Sequence, residues 1–112
     1  MNIIHYEEKR TLIKRLIKQD LNLTLVEIVI LDKIATINKH SIEATELKQA
    51  LYNKNTPIST QLSNLIALGL LKKERDLHDE RRIHLYDIQL AKINNLLLRF
   101  KEIVNTVIMT PQ

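Results

Sequence analysis

The sequence predicts a mainly α-helical protein with a small β-hairpin, a winged helix-turn-helix flanked by terminal dimerisation helices. Three observations predict it. Apolar residues recur at helical spacing along most of the chain. The period falls to two only between residues 70 and 87. A short segment bracketed by Thr56-Pro57 and Gly69 lies just before that change.

The elements follow in order. Residues 3–18 read as a helix with Ile13, Leu16 and Ile17 on one face and Glu7, Glu8, Lys9, Arg10, Lys14 and Arg15 around the rest. Asn22 and Thr24 interrupt it, and Thr24-x-x-Glu27 is a capping box that opens a second helix, 25–38. That helix is apolar on nearly every side, which predicts a central, buried one. Lys39-His40-Ser41 breaks it, and Ile42 reads as one short strand residue. Thr45 is expected to cap a short helix from Glu46 to about Tyr52, with Leu47, Ala50 and Leu51 inward. Asn53-Lys54-Asn55 forms the turn, and Thr56 caps a helix over 57–68 with Pro57 at its first position. The single glycine, Gly69, stands where a helix stop needs left-handed backbone.

Residues 70–75 then read as a strand and 76–80 as a charged loop. Residues 81–87 alternate, with Ile83 and Leu85 facing one way and Arg82, His84 and Tyr86 the other. A final helix spans 88–108, roughly 30 Å long at the usual rise. Leu90, Ile93, Leu97, Phe100, Val104 and Val107 make a heptad-like seam on it that calls for a helical partner. That partner is the first helix of the same chain, a second chain, or both. The expected organisation is one domain over 1–112, with dimerisation helices at 1–20 and 88–109 and a helix-turn-helix plus wing at 45–87.

Composition bounds the chemistry. The 112 residues carry no cysteine and one glycine, with 17 Lys+Arg against 13 Asp+Glu for a net charge of +4. No cysteine excludes disulfides, thiolate metal sites and a cysteine nucleophile. One glycine excludes a Gly-rich phosphate loop. His78 and His84 match no metal-ligand spacing, and no Ser/His/Asp arrangement stands out, so neither a metal, a cofactor nor an enzyme is expected. The first residues carry no apolar signal-peptide core and no stretch suits a membrane span, so a cytoplasmic protein without membrane contact is expected.

The helix at 57–68 presents an uncharged, hydrogen-bonding face: Ser59, Thr60, Gln61, Ser63 and Asn64, with Ala67. Small side chains let a helix sit deep in a major groove, where Asn and Gln pair with adenine and a methyl packs on thymine. A surface helix usually carries Lys and Glu, and this one carries neither. Phosphate contacts must then come from Lys54 before the helix and from Lys72, Lys73, Arg75, Arg81 and Arg82 after it, and Thr56 is a further expected DNA-binding residue. Arg81 or Arg82 at the hairpin tip suits a narrow AT-rich minor groove, with Asp79 holding Arg81 by a bidentate pair. So few cations point to a dimer, with two helices about one DNA turn apart, roughly 34 Å or a multiple. The dimer residues expected are Ile13, Leu16, Ile17, Leu97, Phe100, Val104 and Val107.

Pro57 and the run from Leu71 to Arg81, with its Lys-Lys-x-Arg-x-x-x-Asp-Glu-Arg wing, resemble the SarA-type branch of the MarR family, staphylococcal winged-helix regulators of virulence and surface genes. The resemblance extends from about Leu21 to the C-terminus. It implies a cytoplasmic homodimer that represses or activates AT-rich promoters. It further implies that Arg81 reaches the minor groove with Asp79 in support, that 57–68 enters the major groove, and that the terminal helices dimerise. Some relatives sense oxidation through a cysteine, and its absence here excludes thiol switching. Many bind small aromatic ligands. With only Phe100 and three tyrosines available, no effector is assigned. The uncharged helix also fits a different reading, a winged-helix interaction module that modulates another regulator without touching DNA.

Overall fold

The computed structural model describes residues 2–51, 57–79 and 81–109. The elements are α1 (Ile3–Leu21), α2 (Leu25–Ile37), β1 (Ile42–Glu43), α3 (Ala44–Ala50), α4 (Ser59–Ala67), β2 (Lys72–Arg75), β3 (Ile83–Tyr86) and α5 (Leu90–Met109). This is the expected mainly helical winged helix-turn-helix. The sheet has three antiparallel strands in the order β1-β3-β2, because Ile42 and Glu43 pair with Leu85 and His84. Two residues are too short a run for alternation to reveal.

Helix ends are set by short polar side chains and one glycine. Thr24 Oγ1 accepts from Glu27 N at 3.3 Å while Glu27 Oε1 accepts from Thr24 N at 2.8 Å, the reciprocal box read from the sequence. Asn22 and Asn38 close α1 and α2 in left-handed backbone, φ 58° and 59°. Asparagine tolerates that region better than most residues. Gly69, at φ 77°, follows α4. Its N–H donates to Ile66 O and that of Leu70 to Leu65 O, which satisfies two orphan carbonyls in a Schellman arrangement.

Several expected boundaries are corrected. α4 begins at Ser59, two residues after Pro57. The residue before it is Ile58 (φ −123°, ψ 8°), which provides no side-chain cap and is buried instead. Packing of an apolar anchor thus sets this helix start. The expected Thr56 cap, Lys54 and the 53–55 turn lie outside the described residues, as does Tyr52. Thr45 lies inside α3, because the strand pairing of Glu43 leads straight into the helix at Ala44. Leu47 and Leu51 point inward as expected, whereas Ala50 is exposed. α2 is not buried all round: Val26 and Val29 are 46% and 48% exposed. β3 ends at Tyr86 because Asp87 turns into left-handed backbone at φ 50°.

The core gathers around α2, with Ile30, Leu31 and Ile34 buried against Leu47, Leu65, Leu85 and Ile93 of the surrounding elements. α1 and α5 lie antiparallel along each other. Lys9 Nζ donates to Ile108 O at one end and Arg99 Nη2 to Asp20 O at the other, both at 3.1 Å. This in-chain pairing corrects part of the expected dimer seam: Ile17 and Val107 are 0% and 2% exposed within one chain and have no surface left for a partner. Ile13, Leu16, Leu97, Phe100 and Val104 remain partly exposed. Among the described residues, no helix is long and apolar enough to cross a membrane.

Candidate nucleic-acid interface

α4 turns Leu62 and Leu65 inward, at 5% and 0% exposure. The 3.6-residue period then places Ser59, Thr60, Ser63 and Ala67 in solvent, with Gln61 half-buried at the flank. All five side chains named from the sequence on this helix therefore line an exposed, uncharged arc or its edge. Asn64, exposed like its neighbours, is also tied down: its Nδ2 donates to Glu27 Oε2 at 2.8 Å, linking α4 to the first turn of α2.

The wing is built by local hydrogen bonds. Asp76 N donates to Arg82 O and Arg82 N to Asp79 O, each at 2.9 Å, which closes the loop on itself. Asp76 Oδ1 accepts from the backbone N–H groups of His78 and Asp79 at 2.8 and 3.1 Å. Those two donors, His78 first, hold the Asp76 carboxyl below its ordinary value, and the nearby Arg82 charge adds to the effect. Asp79 lies beside Arg81. Its Oδ1 accepts from Arg81 N at 3.0 Å and from Arg81 Nε at 3.2 Å. The expected two-oxygen fork is replaced by one oxygen serving backbone and side chain together. The Arg81 side chain is left 92% exposed.

Arg82 and Arg81 diverge. Arg82 Nη2 lies 3.6 Å from Glu43 Oε1, so the second arginine is held back against β1. The same oxygen takes His84 Nδ1 at 3.2 Å, and the His84 ring stacks on Tyr86 with centroids 6.5 Å apart. Lys72 pairs with Asp87 at 3.4 Å. By register Lys73 and Arg75 oppose Leu85 and Ile83, and so project from the sheet face opposite Lys72. Glu80, in the loop, lies outside the described residues. The expected cations are thus divided among the tip (Arg81), the β1 side (Arg82) and two faces of β2.

Sequence reasoning missed three supporting carboxylates. Asp76 had a local signal, an Asp two and three residues before the amides it accepts from. Glu43 and the second oxygen of Glu27 had none, because their partners lie 41 and 37 residues away.

Residues 12–96 match the family model described as transcriptional regulator SarA/Rot. The HTH-type transcriptional regulator SarR of Staphylococcus aureus is 33% identical over 89 residues, 78% of this chain and 77% of SarR. Among solved structures, reduced AbfR bound to DNA superposes with a TM-score of 0.65 over 96% of this chain and 72% of that one, at 16% identity. AbsC, a MarR family regulator of Streptomyces coelicolor, gives 0.62 over 95% of this chain and 77% of its own, also at 16%. At such identities the structural likeness is one of fold. The matched family and SarR are described as transcriptional regulators, not enzymes.

Proposed function

The chain belongs to the SarA/Rot family of transcriptional regulators, and from that membership we propose that it acts by binding double-stranded, AT-rich promoter DNA as a homodimer. In this reading α4 enters the major groove and the wing, 72–84, enters the minor groove. One observation carries it: Arg81 is almost wholly exposed at the wing tip yet pinned at its base by Asp79. An arginine presented in this way loses little further side-chain freedom on entering a groove, and a narrow AT-rich groove concentrates the negative potential that attracts it. AbfR, a neighbour in fold, was solved bound to DNA, which supports the same partner here. Lys54, Thr56, Lys72, Lys73 and Arg75 are proposed phosphate contacts, with Ser59, Thr60, Gln61 and Ser63 reading or approaching bases.

The dimer reading rests on apolar surface at one end of the terminal helices. Ile3 and Met109 are 81% and 80% exposed, and Ile4, Tyr6 and Ile108 more than half. Beside them Tyr6, Ile13, Phe100, Val104 and Ile108 line an open groove of about 450 Å³. A second copy laying its terminal helices there removes this surface from water. It also supplies the second set of cations that one chain lacks.

Selection of bound fragments from random DNA tests the whole reading. The expected product is an AT-rich site with two half-sites spaced by one helical turn, roughly 34 Å, or a multiple. Recovery of no enriched sequence, with no mobility shift even at low salt, overturns it. A stoichiometric protein partner found in that case supports the interaction-module reading instead.

A further inference from the structure

We propose that Asn64 does not read a base but, together with Glu27, sets the rotation of α4 about its axis. The inference rests on α4 being the DNA-contacting helix. Glu27 is the only buried polar or charged side chain among the described residues, at 1% exposure. A buried carboxylate is costly unless its oxygens are satisfied. Oε1 takes the Thr24 amide within the capping box, and Oε2 takes Asn64 Nδ2. The position suits a negative charge, since the first turn of α2 offers free N–H groups and the positive end of a helix dipole.

The consequence falls on Asn64. A carboxamide reads adenine with its donor and its acceptor side by side. Here one of the two Nδ2 N–H groups is committed to a buried oxygen 2.8 Å away, so the carboxamide cannot swing freely onto a base edge without breaking that bond and leaving Oε2 unsatisfied. Asn64 sits at the edge of the exposed arc of Ser59, Thr60, Ser63 and Ala67. α4 is only nine residues long and carries no charge to orient it. A polar tie at one flank fixes which of those side chains faces outward in a way that interchangeable leucine contacts do not.

The test uses four proteins: wild type, Asn64→Asp, Asn64→Asp with Glu27→Gln, and Asn64→Ala. Each is titrated against the DNA that wild type selects from a random pool and against a shuffled duplex, at several salt concentrations. Asn64→Asp opposes two carboxylates. It is expected to lower affinity for the selected site by about tenfold, with a much smaller loss on shuffled DNA. Adding Glu27→Gln restores the hydrogen bond with its polarity reversed and should bring the affinity back to within about threefold of wild type. Asn64→Ala is expected to weaken binding across the whole half-site without changing the preference at any one base pair.

Failure of Glu27→Gln to rescue overturns the inference, since repulsion between the new carboxylate and phosphates then explains the loss. A changed preference at a single base pair in Asn64→Ala overturns it too, by making Asn64 a base reader. Wild-type protein that binds no DNA overturns the DNA reading itself, and this inference with it. Thermal melts accompany each titration. Should Asn64→Asp fail to fold, refolding on addition of Glu27→Gln still supports the pair, and Asn64→Ala still decides between positioning and reading.

Discussion

α4 and the wing are two solutions to presenting side chains to a long polyanion. α4 carries no charge, and its place is fixed by burial of Ile58, Leu62 and Leu65 and by the Asn64–Glu27 hydrogen bond. The wing carries its charges on β2 and the loop that follows it. β2 is exposed along its length, and the loop is held by bonds between residues close in sequence. A buried anchor gives a helix precision but leaves only small groups to meet a partner. A loop closed on its own backbone can carry full charges into solvent, since none needs burying. The proposed division follows: the wing supplies attraction, which is blind to sequence, and α4 supplies selection.

Changes that break the helix side should be the largest. Leu65→Ala empties a fully buried site beneath α4 and should cost about 3 kcal/mol, within the usual span for such deletions, measured by chemical denaturation. A loss below about 1 kcal/mol would mean that α4 is not held by its core face. Next is Arg81→Ala, which removes the exposed tip but touches no core. It should weaken DNA binding by about 1–3 kcal/mol in a titration and leave the melting temperature unchanged. Gly69→Ala meets no neighbour within 4 Å, so its expected cost of about 1 kcal/mol comes from the left-handed backbone alone.

The wing loop itself is sharpened by pH. With its folded value depressed, the ionised Asp76 favours the closed loop above its unfolded value, and that contribution is lost as pH falls through the depressed folded one. Amide exchange at His78 and Asp79, corrected for intrinsic rates, should therefore rise only in that acid range. Asp76→Ala should raise it at neutral pH, while Asp76→Asn, which keeps the accepting oxygen, should change it less. The smallest effect is expected at Lys39 and Glu46, an exposed pair at 3.1 Å, where Lys39→Ala should alter stability by no more than about 0.5 kcal/mol.

The same contrast explains what the sequence disclosed. Local grammar was legible: the Thr24–Glu27 box, the stop at Gly69 and the alternation of Ile83 and Leu85 each depend on neighbours a few residues apart. The Asp79–Arg81 pair was legible for the same reason. The start of α4 was not, because Pro57 is a sound local signal for a first helical position that burial of Ile58 overrides. The roles of Glu43 and of Asn64 depend on chain returns that periodicity does not encode. Ile17 and Val107 show a further limit. A heptad seam states that a helix needs a partner, and the spacing is identical whether that partner is in the same chain or another.

The most direct measurement of the division between wing and helix is the salt dependence of DNA affinity for wild type, Arg81→Ala and Thr60→Ala, plotted as log affinity against log salt. The predicted result is a steep negative slope for wild type, a shallower one for Arg81→Ala, and a slope for Thr60→Ala equal to wild type but with poorer discrimination between selected and shuffled DNA. Equal slopes for wild type and Arg81→Ala, or affinity indifferent to salt, would contradict it.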